Sequence, residues 1–88
     1  MPHRLINKVK INFDFILFDK LWDIYENAFP YCERRTLNQQ KNIIRHNNYN
    51  LEVWTNNIDV YAFIGWWNYP EFRFVEHYAV NPLHRSNG

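Results

Sequence analysis

Tyr78-Ala79-Val80-Asn81-Pro82-Leu83-His84-Arg85-Ser86-Asn87-Gly88 is the stretch on which the fold turns. An apolar strand runs into Asn81-Pro82, where proline's missing N–H stops a β-ladder. An arginine, two small polar residues and a glycine follow. Successive backbone N–H groups in such a segment converge on an anion, and a glycine, having no Cβ, lets a phosphate approach the backbone closely. In the strand leading there, residues 72–80, the even positions Phe72, Phe74, Glu76, Tyr78 and Val80 share one face. All but Glu76 are aromatic or aliphatic. A carboxylate on such a face costs free energy unless it is paired, and these are the places where raised pKa values and general bases occur. Glu76 is therefore the candidate base. Its structural alternative is an ion pair with Arg73, Arg34 or Arg35 that only shapes the site. His77 falls on the opposite face, as a packed or surface histidine.

Upstream, residues 60–67 are almost wholly apolar, which predicts a strand buried on both faces. Asn56-Asn57 tolerates the positive φ of a tight turn and links it to a preceding strand, residues 49–55. Thr36-Leu37-Asn38-Gln39 reads as a capping box opening a helix over residues 37–45, with Leu37, Gln40, Ile43 and Ile44 inward. Phe18, Leu21, Trp22, Tyr25, Ala28 and Phe29 recur at three- and four-residue spacing, predicting an amphipathic helix over residues 15–28, with Asp14 as its cap and Pro30 as its stop. Residues 8–13 alternate polar and apolar, as a half-exposed strand does. The order β-α-α-β-β-β makes this an α+β chain with a mixed sheet.

Composition narrows the class. Eighty-eight residues, 47% apolar and 19% aromatic, form a core and exclude a disordered linker. One cysteine, Cys32, excludes a disulfide framework and a cysteine-based zinc cluster. His3 and His46 have no partners at metal-ligand spacing, so no metal is expected. Ten basic against nine acidic side chains give a formal charge of +1, too near neutrality for a dedicated nucleic-acid protein. Residues 1–46 hold eight basic and five acidic side chains and residues 47–88 two and four, a mild asymmetry. No run approaches the roughly 18 apolar residues of a membrane span. Met1-Pro2-His3-Arg4 is not followed by a signal-peptide apolar region, so a cytoplasmic location is the expectation.

From Val80 onward the chain resembles the acetyl-CoA motif of the GNAT family of N-acetyltransferases, roughly Val-x-Pro-x-x-Arg/Gln-x-x-Gly-x-Gly/Ala. Val80, Pro82, Arg85 and Gly88 match it in register, and its last two positions would lie past Gly88. A helix ending in Ala28-Phe29-Pro30, the Glu33-Arg34-Arg35 loop, a second helix, a hairpin and Phe63-Ile64-Gly65-Trp66 in the third strand follow the family's order over the rest of the chain.

The resemblance implies a GNAT fold, with residues 1–88 as the N-terminal half of one domain that is inactive by itself. It implies acetyl-CoA as donor and direct transfer of the acetyl group to a primary amine. The acceptor is either a small-molecule amine (polyamine, aminoglycoside, amino acid) or a peptide or protein amine. By the same match Ser86, Asn87 and Gly88 offer amides to the CoA pyrophosphate, with Arg85 opening that loop. Tyr78, Ala79 and Val80 pair with the pantetheine arm, and the Val80 N–H faces the developing oxyanion. Glu76 deprotonates the acceptor directly or through water, while Glu33, Arg34 and Arg35 border the acceptor groove. Direct transfer needs no acyl-enzyme, so Cys32 has no role. The family's leaving-group acid, a tyrosine, belongs to the other half.

Two other readings compete. Ten of the seventeen aromatics lie between Tyr49 and Tyr78, as in a sheet that stacks single-stranded nucleic acid, but that half is net negative. The second is a non-catalytic GNAT-like interaction module, as a homodimer whose exposed faces cover each other. Neither nucleic acid nor membrane is an expected partner.

Overall fold

The computed structural model describes residues 6–11 and 16–83. Its elements run β1 (Asn7–Lys10), α1 (Phe18–Ala28), a 3-10 turn (Tyr31–Glu33), α2 (Leu37–Ile44), β2 (Tyr49–Thr55), β3 (Val60–Asn68) and β4 (Arg73–Val80). The strands form one sheet in the order β1-β2-β3-β4. Where a mixed sheet is expected from the sequence, every pairing among the described residues is antiparallel.

Local chemistry sets the helix limits. α1 starts at Phe18, later than the periodicity suggests, and Leu17 at its N-cap has no side-chain oxygen to offer; Asp14 lies outside the described residues. Phe18, Leu21, Ile24 and Tyr25 are buried along one stripe. Asp19, Asp23, Glu26 and Asn27 face solvent. Phe29 leaves the helix in extended geometry, as the following Pro30 requires. α2 opens on the expected capping box: the Gln39 N–H donates to Thr36 Oγ1 (3.2 Å) and the Thr36 N–H to Gln39 Oε1 (2.8 Å). Gln40 is buried and Ile43 and Ile44 partly so, but Leu37 is exposed. Its position in the first turn puts it at the rim of a cleft between α1 and the inter-helix loop rather than over the sheet.

The β2–β3 turn is built as its asparagines predict. Asn57 has φ 74°, and Asn56 Oδ1 accepts from the N–H groups of Ile58 (2.9 Å) and Asp59 (2.8 Å). Both helices lie on one face of the sheet. Phe63 is packed there edge-on to Tyr25 and Phe29, and burying a side chain of that size contributes roughly 1.5–3 kcal/mol. On the other face Trp54, Ile64 and Trp66 are half-buried, and Val75 and Tyr78 are exposed. β3 is thus covered on one face among the described residues, not on both.

Candidate active site

β4 is not regular. Gly65 pairs with His77, but the next residue of β3, Trp66, pairs with Val75, so β4 carries one extra residue, Glu76. This is a β-bulge, which interrupts the alternation of faces and re-aims the side chain it carries. Glu76 therefore turns to the helix side of the sheet, beside His77 rather than opposite to it. His77, read from the sequence as lying on the other face, is buried against α1 and its end, with Tyr25 at 5.0 Å and Phe29 at 4.8 Å, both edge-on. The even-numbered face loses its buried character: Phe72, Phe74 and Tyr78 are each at least half exposed.

Around Glu76 a polar network draws on five other elements. Arg35, from the loop before α2, donates through Nη2 to Glu76 Oε1 and through Nη1 to Gln40 Oε1 (3.1 Å). Trp67 of β3 donates Nε1–H to the same Glu76 Oε1 (3.0 Å). Gln40 donates through Nε2 to the Tyr49 hydroxyl (3.1 Å), and the Arg35 guanidinium lies 5.6 Å from the centre of the Tyr49 ring. The Arg35 N–H donates to Tyr25 Oη (2.6 Å). Gly65 makes room for this assembly, because a Cβ there would stand 2.5 Å from Tyr49 Oη.

The charges follow from this geometry. Burial pushes the Glu76 carboxyl up, but hydrogen bonds from Arg35 and Trp67, with the charge on Arg35, outweigh it and hold the group below the usual carboxylate range. Burial lowers His77, against the opposing pull of the Glu76 charge, and it is neutral at pH 7. Burial raises the Tyr49 hydroxyl despite the Gln40 hydrogen bond and the Arg35 charge. The centre is an ionised carboxylate between a guanidinium and a neutral imidazole.

Among the described residues the same strand is hydrogen-bonded along one edge only. β4 pairs with β3 on one side and with no described strand on the other. The Asn81 N–H donates to the Tyr61 carbonyl (2.8 Å). Antiparallel alternation then turns Ala79 inward and leaves the N–H and C=O of Tyr78 and Val80 at the open edge. Glu76 stands four residues before Val80 on this strand.

The other expected residues divide. Of the Glu33-Arg34-Arg35 run, Arg35 is committed to Glu76. Arg34 pairs with Glu26 (3.7 Å) and lies over the Tyr31 ring, its Nε buried without a hydrogen-bond partner. Glu33 is exposed. Arg34 and Arg35 line a cleft of about 480 Å³ with Trp22 and Tyr31, and Glu76 is not part of its wall. Trp66 points to the open face, where its Nε1–H donates to Glu52 (2.7 Å). Cys32 is exposed. Arg85, Ser86, Asn87 and Gly88 lie outside the described residues. Among the described residues no group of His, Cys, Asp and Glu is arranged to hold a metal ion, and no helix is long and apolar enough to cross a membrane.

Sequence reasoning missed Tyr25, Gln40, Tyr49 and Trp67 as members of the site. Gly65 was the available signal, as the one internal glycine in an otherwise bulky strand.

A solved structure from Bacteroides thetaiotaomicron, assigned as an acetyltransferase of the GNAT family, superposes on this chain with a TM-score of 0.82 at 27% sequence identity. The alignment covers 94% of this chain and 48% of that one. The chain carries the GNAT fold. It spans about half the length of that GNAT structure, and the order of helices and strands expected from the motif is the order found. No family model matches the sequence, and no curated protein does; the GNAT likeness is carried by the fold.

Proposed function

We propose that this chain is the N-terminal half of a GNAT domain that moves an acetyl group from acetyl-CoA to a primary amine. The observation that carries the reading is the bulged Glu76, set on the helix side of the strand that leads to Val80, within a fold shared with a GNAT-family acetyltransferase structure. Acetyl-CoA supplies an activated thioester, and the exposed N–H and C=O groups of Tyr78 and Val80, with Ala79 between them, suit an extended pantetheine arm. The Val80 N–H donates to the thioester oxygen as charge grows on it. Arg85, Ser86, Asn87 and Gly88 are assigned to the pyrophosphate, Glu33 and Arg34 to the acceptor side.

Glu76 is ionised at neutral pH, the state a proton acceptor requires. Both of its donors fall on Oε1, so Oε2 takes the ammonium proton directly or through a water. The amine nitrogen bonds to the carbonyl carbon, the carbon–sulfur bond breaks, and CoA leaves as its thiol once the sulfur has gained a proton. The setting proposed is cytoplasmic, where acetyl-CoA is found.

The test uses the full-length protein that contains this chain. Saturating acetyl-CoA should raise its melting temperature, because a ligand at about 100 times Kd stabilises by roughly 2.7 kcal/mol. A panel of small and peptide amines should then release CoA thiol. Binding without release from any amine would favour the non-catalytic module, and neither binding nor release would refute the enzyme reading. The 88-residue chain alone should not turn over.

A further inference from the structure

We propose that Arg35 is the positioning residue of Glu76: it anchors Oε1 of the bulged carboxylate and so fixes the direction in which Oε2 meets the acceptor. The catalytic consequence rests on the acetyltransferase reading, whereas the clamp itself is a property of the fold. Three observations support it. A bulged residue has lost its regular place in the ladder, so its side-chain contacts decide where it points. Arg35 and Trp67 reach the same oxygen from different elements, a loop and β3. Arg35 is itself held at both ends, its N–H by the hydroxyl of Tyr25 and its Nη1 by Gln40, which Tyr49 holds in turn.

This assignment departs from the acceptor-binding role that the loop position suggests. Arg35 has a side chain only 16% exposed, and its fork is spent on Gln40 and Glu76. With Nη1 held by Gln40, the planar guanidinium presents Nη2 to Glu76 Oε1 from one fixed direction. Acceptor recognition then falls to Glu33 and Arg34, which have no bond to Glu76. The clamp also ties the inter-helix loop to β4 across 41 residues of sequence, so loop and base move together.

The charged and titratable groups that face Glu76 are Arg35 from the loop, His77 on its own strand and Tyr49 from β2. In the full-length protein, carbon-13 NMR of the glutamate carboxyls would follow Glu76 in wild type, Arg35→Met, Arg35→Lys and Trp67→Phe. Removing an opposite charge at contact distance should move the Glu76 titration up by roughly 1–3 pH units in Arg35→Met. Lysine should restore part of it, and Trp67→Phe should give a smaller upward move. The acid limb of kcat/KM should shift with each titration. An unmoved Glu76 titration in Arg35→Met would overturn the proposal whatever the activity. So would a raised acceptor KM with an unchanged pH profile, which is the signature of acceptor binding. If Arg35→Met fails to fold, the neutral Arg35→Gln takes its place, and a Glu76 titration equal to wild type there would overturn the proposal. Absence of transfer in the wild-type protein would sink the acetyltransferase reading and leave the NMR result to judge the clamp.

Discussion

Replacing Gly65 by alanine should destabilise the protein by roughly 2–4 kcal/mol. The added Cβ would sit 2.5 Å from Tyr49 Oη and 3.3 Å from its Cζ, so the ring must swing. A ring end on the surface would move at little cost. Tyr49 is 3% exposed, its hydroxyl accepts from Gln40, which is equally buried, and the Arg35 guanidinium lies over its face. Overpacking a filled core costs about 1–3 kcal/mol, and a buried polar group left without a partner costs about 1–3 kcal/mol more. Part of the first is relieved by the swing, which gives the figure above. In a GNAT domain of about twice this chain's length it should lower the melting temperature by roughly 4–16 °C. Urea denaturation followed by far-UV circular dichroism measures it. Tyr49→Phe removes the atom the Cβ meets first, so the double variant should be more stable than the two single losses imply, by about 0.5–3 kcal/mol. A Gly65→Ala variant within about 0.5 kcal/mol of wild type, or strictly additive losses in the cycle, would refute the argument that Gly65 exists to seat Tyr49.

The other predictions are smaller. His77 has a folded pKa below its ordinary value because of burial, so the unfolded chain binds its proton first; stability present above about pH 6.5 is lost as pH falls through the folded value. The melting temperature should therefore drop between pH 7.5 and 5.5, and His77→Phe should flatten that slope. The lowered Glu76 acts with the same sign in a more acid window, below the usual carboxylate value, and a slope confined to that window would count against the histidine argument. Thr36→Ala removes the oxygen that accepts from the Gln39 N–H and should cost about 1 kcal/mol in chemical denaturation. Asn57, at φ 74°, should accept glycine with little change, whereas Asn57→Val should cost on the order of 1–3 kcal/mol; equal stability of the two would contradict the turn geometry.

The parts of the fold legible in the sequence are those whose causes are local. Thr36 and Gln39 lie three residues apart and satisfy each other's backbone whatever surrounds them. Pro30 ends α1 through its own ring, and Asn56-Asn57 turns the chain through its own side chains. The candidate site was legible only as a list of residue types. Glu76 stands out in the sequence as a carboxylate among apolar neighbours, with Arg35 one of three arginines able to pair with it. Leu37, with the right spacing but the wrong place in a short helix, shows the limit of periodicity.

By itself, then, the sequence determined the element order, the α2 capping box, the β2–β3 turn and the GNAT resemblance, because hydrogen bonds within a few residues and the period of apolar side chains are written in consecutive positions. Only the tertiary structure decided which way Glu76 and His77 face. That depends on a one-residue offset between Gly65–Trp66 of β3 and His77–Val75 of β4, a mismatch between two strands that no single strand's pattern records. Tyr25, Gln40, Tyr49 and Trp67 join the site for the same reason. They sit on four different elements, and only the packing of both helices onto one face of the sheet brings their polar atoms within hydrogen-bonding distance of Arg35, of Glu76 or of one another.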